Sequence, residues 1–159
     1  MDNTTAKVSC FARAYHFENN KTHIFADNMA KRILGEDYDQ IAQSVSQGIG
    51  FFLPGFEGTK EEGLRLIVDK QLSPSVLGRS AYCEEKLWGM IKNGCSQYLI
   101  FASGYDTFSI RNTDRSVNVS EEMTKRFFFE YNKKTPDHPM NAPSGVDYVF
   151  AIRAQGGRR

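Results

Sequence analysis

Residues 97–111 read QYLIFASGYDTFSIR, and the reading of this stretch decides the fold. Its first half, QYLIFA, is a short, almost unbroken apolar run, the pattern of a strand buried on both faces in a parallel sheet flanked by helices. Before it lies a helical segment closed by Asn93-Gly94, and after it comes the small-residue turn Ala102-Ser103-Gly104. A helix, a glycine closure, a buried strand and a small-residue turn form the order expected at the start of a doubly wound α/β sheet. The turn itself has two readings. Small residues at the carboxyl end of a parallel strand let a ligand approach the main chain, and Asp106 would offer it a carboxylate. A tight connection capped by Asp106 explains the same residues, and both readings stand on these residues alone.

Outward from this stretch, composition sets bounds. A chain of 159 residues has the length of one domain with a real core. Its 20 basic and 19 acidic side chains nearly cancel and form no basic stripe interleaved with aromatics, which sets nucleic acid aside as a partner. No apolar run approaches the roughly 18–20 residues of a membrane span, and MDNTTAKVSC lacks the apolar core of a signal peptide. Cys10, Cys83 and Cys95 are odd in number and scattered, as suits reduced thiols in a cytoplasm. His16, His23 and His138 share no ligand spacing with one another or with the cysteines, so no metal site is expected.

The first ninety residues carry helical periodicity. Val8, Phe11, Ala12 and Tyr15 form one stripe; Asp27 is placed to cap a short helix through Ala30, Ile33 and Leu34 that Gly35 ends. Tyr38, Ile41, Ala42, Val45 and Ile49 form a third stripe. Thr59 and Glu62 have capping-box spacing ahead of Leu64, Ile67 and Val68, and Pro74 is expected to stop that helix. The next helix, starting near Ser75 or Gly78, should bury Cys83, Leu87, Met90 and Ile91. Beyond Arg111 the text turns polar. Ser120 with Glu121 and Glu122 reads as a helix start, with Met123, Phe127 and Tyr131 on one face, and VDYVFAI (146–152) reads as a last strand.

The remaining motifs read as packing. Phe127-Phe128-Phe129 fits a buried helix, and Trp88 a packing residue or an interface anchor. GFEGTK (55–60) has neither a preceding strand nor the Gly-Lys-Ser/Thr ending of a phosphate loop. No Gly-x-Ser-x-Gly elbow occurs, which argues against a serine hydrolase, and one glycine in ASGYDTF is too few for a nicotinamide dinucleotide fold.

Taken together, QYLIFASGYDTFSIR resembles the first motif of the class I S-adenosylmethionine-dependent methyltransferases, and more narrowly that of the leucine carboxyl methyltransferase and polyketide carboxyl O-methyltransferase family. Gln97, Gly104, Asp106, Thr107 and Arg111 fit the family's pattern. SVLGRSAYCEEKLWGMIKNGC resembles the helix whose arginine pairs with the methionine carboxylate of the cofactor, which maps to Arg79. VSCFARAYHF…IFADNMAKRIL is similar to the family's N-terminal helices, where Arg13 would supply a second cation; SEEMTKRFFFEYNKKTPDHPMNAPSGVDYVFAI is similar to its C-terminal helix, loop and antiparallel strand.

The resemblance implies an α/β fold: a shortened Rossmann-like methyltransferase core over 76–159 behind an N-terminal helical cap over 1–75. It implies S-adenosylmethionine as cofactor, held by Arg79, Arg13 and the turn Ala102, Ser103, Gly104 and Asp106. The acceptor would be a carboxylate or hydroxyl of a small molecule or peptide; no residue is singled out as catalytic. Three departures accompany it. Ala102 stands where the family has its first glycine, and Phe108 where it has an arginine. The middle of the domain is short: no second strand with a terminal acidic residue for the ribose is legible, and the shortening falls in 112–119. A short sheet would leave open edges that a homodimer would complete. The shortening also raises a second reading, an inactive methyltransferase-like remnant that serves as a binding protein.

Overall fold

The structure is a computed structural model that describes residues 4–95, 97–101, 103–112, 118–120 and 148–152. Its elements run α1 (Thr4–Asn19), α2 (Ala30–Leu34), α3 (Asp37–Gln47), α4 (Ile49–Phe52), α5 (Lys60–Ile67), a π-helical turn (Val68–Leu72), α6 (Ser73–Lys92), β1 (Gln97–Phe101), α7 (Phe108–Arg111), β2 (Asn118–Ser120) and β3 (Tyr148–Ile152). They divide into two compact units, Met1–Tyr82 and Cys83–Arg159. The expected boundary at 75/76 falls a few residues earlier, inside α6.

The regular elements of the first unit are all helices among its described residues. α1 buries Phe11, Ala12, Tyr15 and, outside the expected stripe, Cys10, Ala14 and His16. Asp27 starts α2 as the sequence indicates: its Oδ1 accepts the N–H groups of Met29 and Ala30 at 3.2 and 3.1 Å. Gly35 ends that helix at φ 56°, a conformation open to a residue without Cβ, and its N–H bonds the Lys31 carbonyl. α3 differs from expectation. Its apolar stripe is only half-buried and none of its residues is fully so; with Val8 of α1 and Phe52 of α4, Ile41 and Val45 line an open groove of about 370 Å³. The capping box at α5 is complete, with Glu62 N–H donating to Thr59 Oγ1 at 3.2 Å and Thr59 N–H donating to Glu62 Oε2 at 2.9 Å.

Pro74 does not stop the helix. The chain widens into the π turn, where the Ser73 N–H reaches the Val68 carbonyl, and then continues as the twenty-residue α6. A proline is tolerated in the first turn of a helix, where an absent N–H matters least, and the widened turn ahead of it gives the ring room. Near its other end α6 buries Leu87 and half-buries Cys83 and Ile91, but Met90 is exposed, contrary to the stripe. Gly94 at φ 90° closes it, with Gly94 N–H bonding Ile91 and Cys95 N–H bonding Met90.

In the second unit β1 is the middle strand of a three-stranded mixed sheet in the order β2-β1-β3. β2 runs parallel to β1, with Gln97 opposite Asn118 and Leu99 opposite Ser120. β3 runs antiparallel, from Gln97 opposite Ile152 to Phe101 opposite Tyr148. Ser120 is the last residue of β2, so residues 118–120 form a strand parallel to the first. The expected helix through Met123, Phe127 and Tyr131 lies outside the described residues. The core of this unit is Leu87, Tyr98, Ile100 and Phe108, with Ile91 against it. Phe108 meets Tyr98 edge-on at 5.1 Å and Trp88 at 5.8 Å, which gives the aromatic ring at this departure from the expected motif a place in the core. Trp88 itself is about a third exposed.

Candidate functional site

The turn after β1 is built from backbone outward. Gly104 sits at φ 51°, the left-handed conformation that glycine adopts without penalty. Asp106 N–H then donates to the Ser103 carbonyl at 2.7 Å and closes the turn. One oxygen of Asp106, Oδ1, accepts the Phe108 N–H at 2.8 Å and so starts α7, a local device open to aspartate because its side chain reaches the main chain two residues on. The structure thus brings Ser103, Gly104 and Asp106 together in one turn. Ala102 lies outside the described residues.

α7 is a single turn and cannot hold itself in water. It is anchored twice, by Phe108 in the core and by Arg111. The Arg111 guanidinium forms a bidentate pair with Glu84 of α6, one arm at 3.2 Å, while its Nε donates to Thr107 Oγ1 at 2.9 Å. Sequence reading registered Arg111 and Thr107 only as motif letters and passed over Glu84. Nothing local could reveal it, since Glu84 and Arg111 are 27 positions apart.

The two candidate cations lie in the first unit. Arg79 is the seventh residue of α6 and is exposed; beside it a side chain built at Gly78 would meet nothing within 4 Å among the described residues. Arg13 is half-buried on α1, and its Nε donates to Asp27 Oδ2 at 2.8 Å. That carboxylate is fully buried and therefore has a guanidinium on one oxygen and two backbone N–H groups on the other. Buried charge is tolerated on these terms, paired and hydrogen-bonded, and the pair ties α1 to the entry of α2.

One further titratable group is buried near this pair's helix. Burial, and then the neighbouring His23, hold the His16 imidazole below its ordinary pKa against the opposing pull of Asp69. Its Nε2 accepts the Ile24 N–H at 3.2 Å, which requires that nitrogen to be unprotonated. Among the described residues no three or more His, Cys, Asp or Glu side chains are grouped to hold a metal ion, and no helix is long and apolar enough to cross a membrane.

A strand that buries Tyr98 and Ile100 and leads into a left-handed glycine turn, with an aspartate fixing the next helical turn, makes a strand end that can receive a ligand against its main chain. The family model of leucine carboxyl methyltransferase matches residues 6–123, which include α1 from Ala6 on, α6, β1, the turn and β2. A Bacillus subtilis (strain 168) protein named "Putative S-adenosyl-L-methionine-dependent methyltransferase YktD" is 35% identical over 161 residues, an overlap covering 92% of this chain. The chain belongs to the leucine carboxyl methyltransferase family. It spans about half, 53%, of the length of that relative. No solved structure matches it significantly.

Proposed function

We propose that this chain forms the cofactor-binding part of an S-adenosylmethionine-dependent O-methyltransferase with a Rossmann-like core. The observation that carries this reading is the coincidence of the family match over 6–123 with the glycine turn at the end of β1. The residues present suit the cofactor. Arg79 is an exposed cation beside Gly78, where an added Cβ would meet nothing within 4 Å among the described residues, and Gly104 has no Cβ to hold a methionyl chain away from the backbone. β2 adds support, because a strand parallel to β1 is followed in sequence by Glu121 and Glu122, acidic residues of the kind the family uses for ribose hydroxyls.

When bound, S-adenosylmethionine supplies an electrophilic sulfonium methyl group; the chemistry is the cofactor's. The protein contributes position. Arg79 would hold the carboxylate end and the Ser103–Asp106 turn would receive the methionyl portion, while Asp106, through its bond to the Phe108 N–H, fixes the start of α7 after that turn. The acceptor is a carboxylate or hydroxyl oxygen of a small molecule or peptide. A carboxylate is already anionic at neutral pH and needs alignment and exclusion of water more than a general base. In this reading Arg13 serves the fold through Asp27.

Calorimetric titration with S-adenosylhomocysteine tests the proposal. The intact chain binds it, and Arg79→Ala weakens binding at least tenfold, the scale of a lost charge-assisted hydrogen bond. Equal affinity in that variant removes Arg79 from the site, and absence of binding by the folded wild type removes the cofactor.

A further inference from the structure

We propose that Glu84, Arg111 and Thr107 form a positioning clamp that sets the conformation of the Ser103–Asp106 turn, an inference that rests on the cofactor reading above. Gly104 contributes no side-chain contact, the closing bond is Asp106 N–H to the Ser103 carbonyl, and α7 beyond it is four residues long. A one-turn helix does not persist on its own backbone bonds, so its placement depends on what its side chains grip.

Phe108 and Arg111 are two such grips, three residues apart and hence on one side of the turn. Phe108 supplies apolar burial, which is non-directional and leaves the helical turn free to rotate or slide. Arg111 supplies direction. Its two-armed pair with Glu84 fixes the plane of the guanidinium against α6, a helix of twenty residues. Its third donor, Nε, then seizes Thr107 Oγ1, and Thr107 is buried immediately beside Asp106. Both acidic partners of the segment thus act through α7: Glu84 holds its last residue, and Asp106 caps its first. Both charged side chains of the clamp are less than a fifth exposed, so solvent screens the pair little.

Two conservative variants test the clamp. Glu84→Gln leaves one acceptor but sets an amide N–H against the second arm of Arg111. Thr107→Val keeps the shape of the side chain and removes the acceptor of Nε. Each is followed by hydrogen exchange at the Asp106 and Phe108 amides, by the thermal midpoint, and by S-adenosylhomocysteine titration. The expected result is faster exchange at those two amides and affinity lower by about tenfold, the scale on which outer-shell partners act, in a protein that still melts cooperatively near the wild-type midpoint. A purely structural pair would lower the midpoint and leave the affinity of the folded chain alone, and that result overturns the proposal. So does unchanged exchange at Asp106 and Phe108 in both variants. Absence of binding by wild type is a separate failure: it overturns the cofactor reading, and exchange alone then decides whether the clamp orders the turn.

Discussion

At Asp27, Asp106 and His16 a single side chain decides what a stretch of backbone does. Asp27 and Asp106 each accept main-chain N–H groups two or three residues on, and each starts a helical turn by doing so. Their chemistry is local and was legible in the sequence. His16 was not, because its partners come from Ile24 and Asn20 of the loop and its pKa is lowered by burial. The sign of the resulting pH dependence is fixed. The folded chain keeps His16 neutral below the ordinary value of about 6.5 while the unfolded chain takes up a proton there, so stability falls as pH drops through that value and levels off above it. Urea unfolding from pH 7.5 to 5.0 should show this loss in wild type and less of it in His16→Gln. Parallel curves for the two proteins would assign the pH dependence elsewhere.

Elements differ in how far their own residues fix them. α5 begins where Thr59 and Glu62 place it, through a reciprocal pair of bonds contained within four residues. α6 shows the opposite case. Pro74 signals a stop only where the preceding chain is an ordinary α-helix, and here the π turn Val68–Leu72 accommodates it. Its expected face holds only in part: Met90 has the spacing of Leu87 and Ile91 but is exposed and stands outside the core of Leu87, Tyr98, Ile100 and Phe108. The two kinds of element predict unequal losses. Thr59→Ala removes an exposed cap and should cost about 1 kcal/mol, whereas Phe108→Ala empties a core position of the sheet unit and should cost roughly 3–5 kcal/mol. Chemical denaturation monitored by circular dichroism compares them, and a Phe108→Ala loss no larger than that of Thr59→Ala would mean that α7 is not anchored by its ring.

For the whole molecule, the testable link is between ligand and stability. A ligand that binds only the folded chain stabilises it by mass action, by about 2.7 kcal/mol at a hundred times its dissociation constant. For a chain of this length that corresponds to a rise of roughly 5–10 °C in the transition midpoint with S-adenosylhomocysteine. Arg79→Ala should show the smaller shift at the same concentration. A wild-type midpoint that ignores the ligand contradicts the proposed function, independently of heat signals in titration.

What the sequence determined by itself is whatever depends on neighbours a few residues apart: the helical first unit, the caps at Asp27 and Thr59, the glycine closures at Gly35 and Gly94, and the strand at Gln97–Phe101 with its turn. The family letters around that turn were legible for the same reason, being contiguous. The tertiary structure alone decided which strands pair, because β2 is three residues long, too short for a period to show, and exists through its register with β1. It alone decided that Arg13 faces Asp27 and that Arg111 grips Glu84, since each pair joins residues 14 and 27 positions apart. Such contacts form only after the intervening chain has been folded back, and no spacing rule records them.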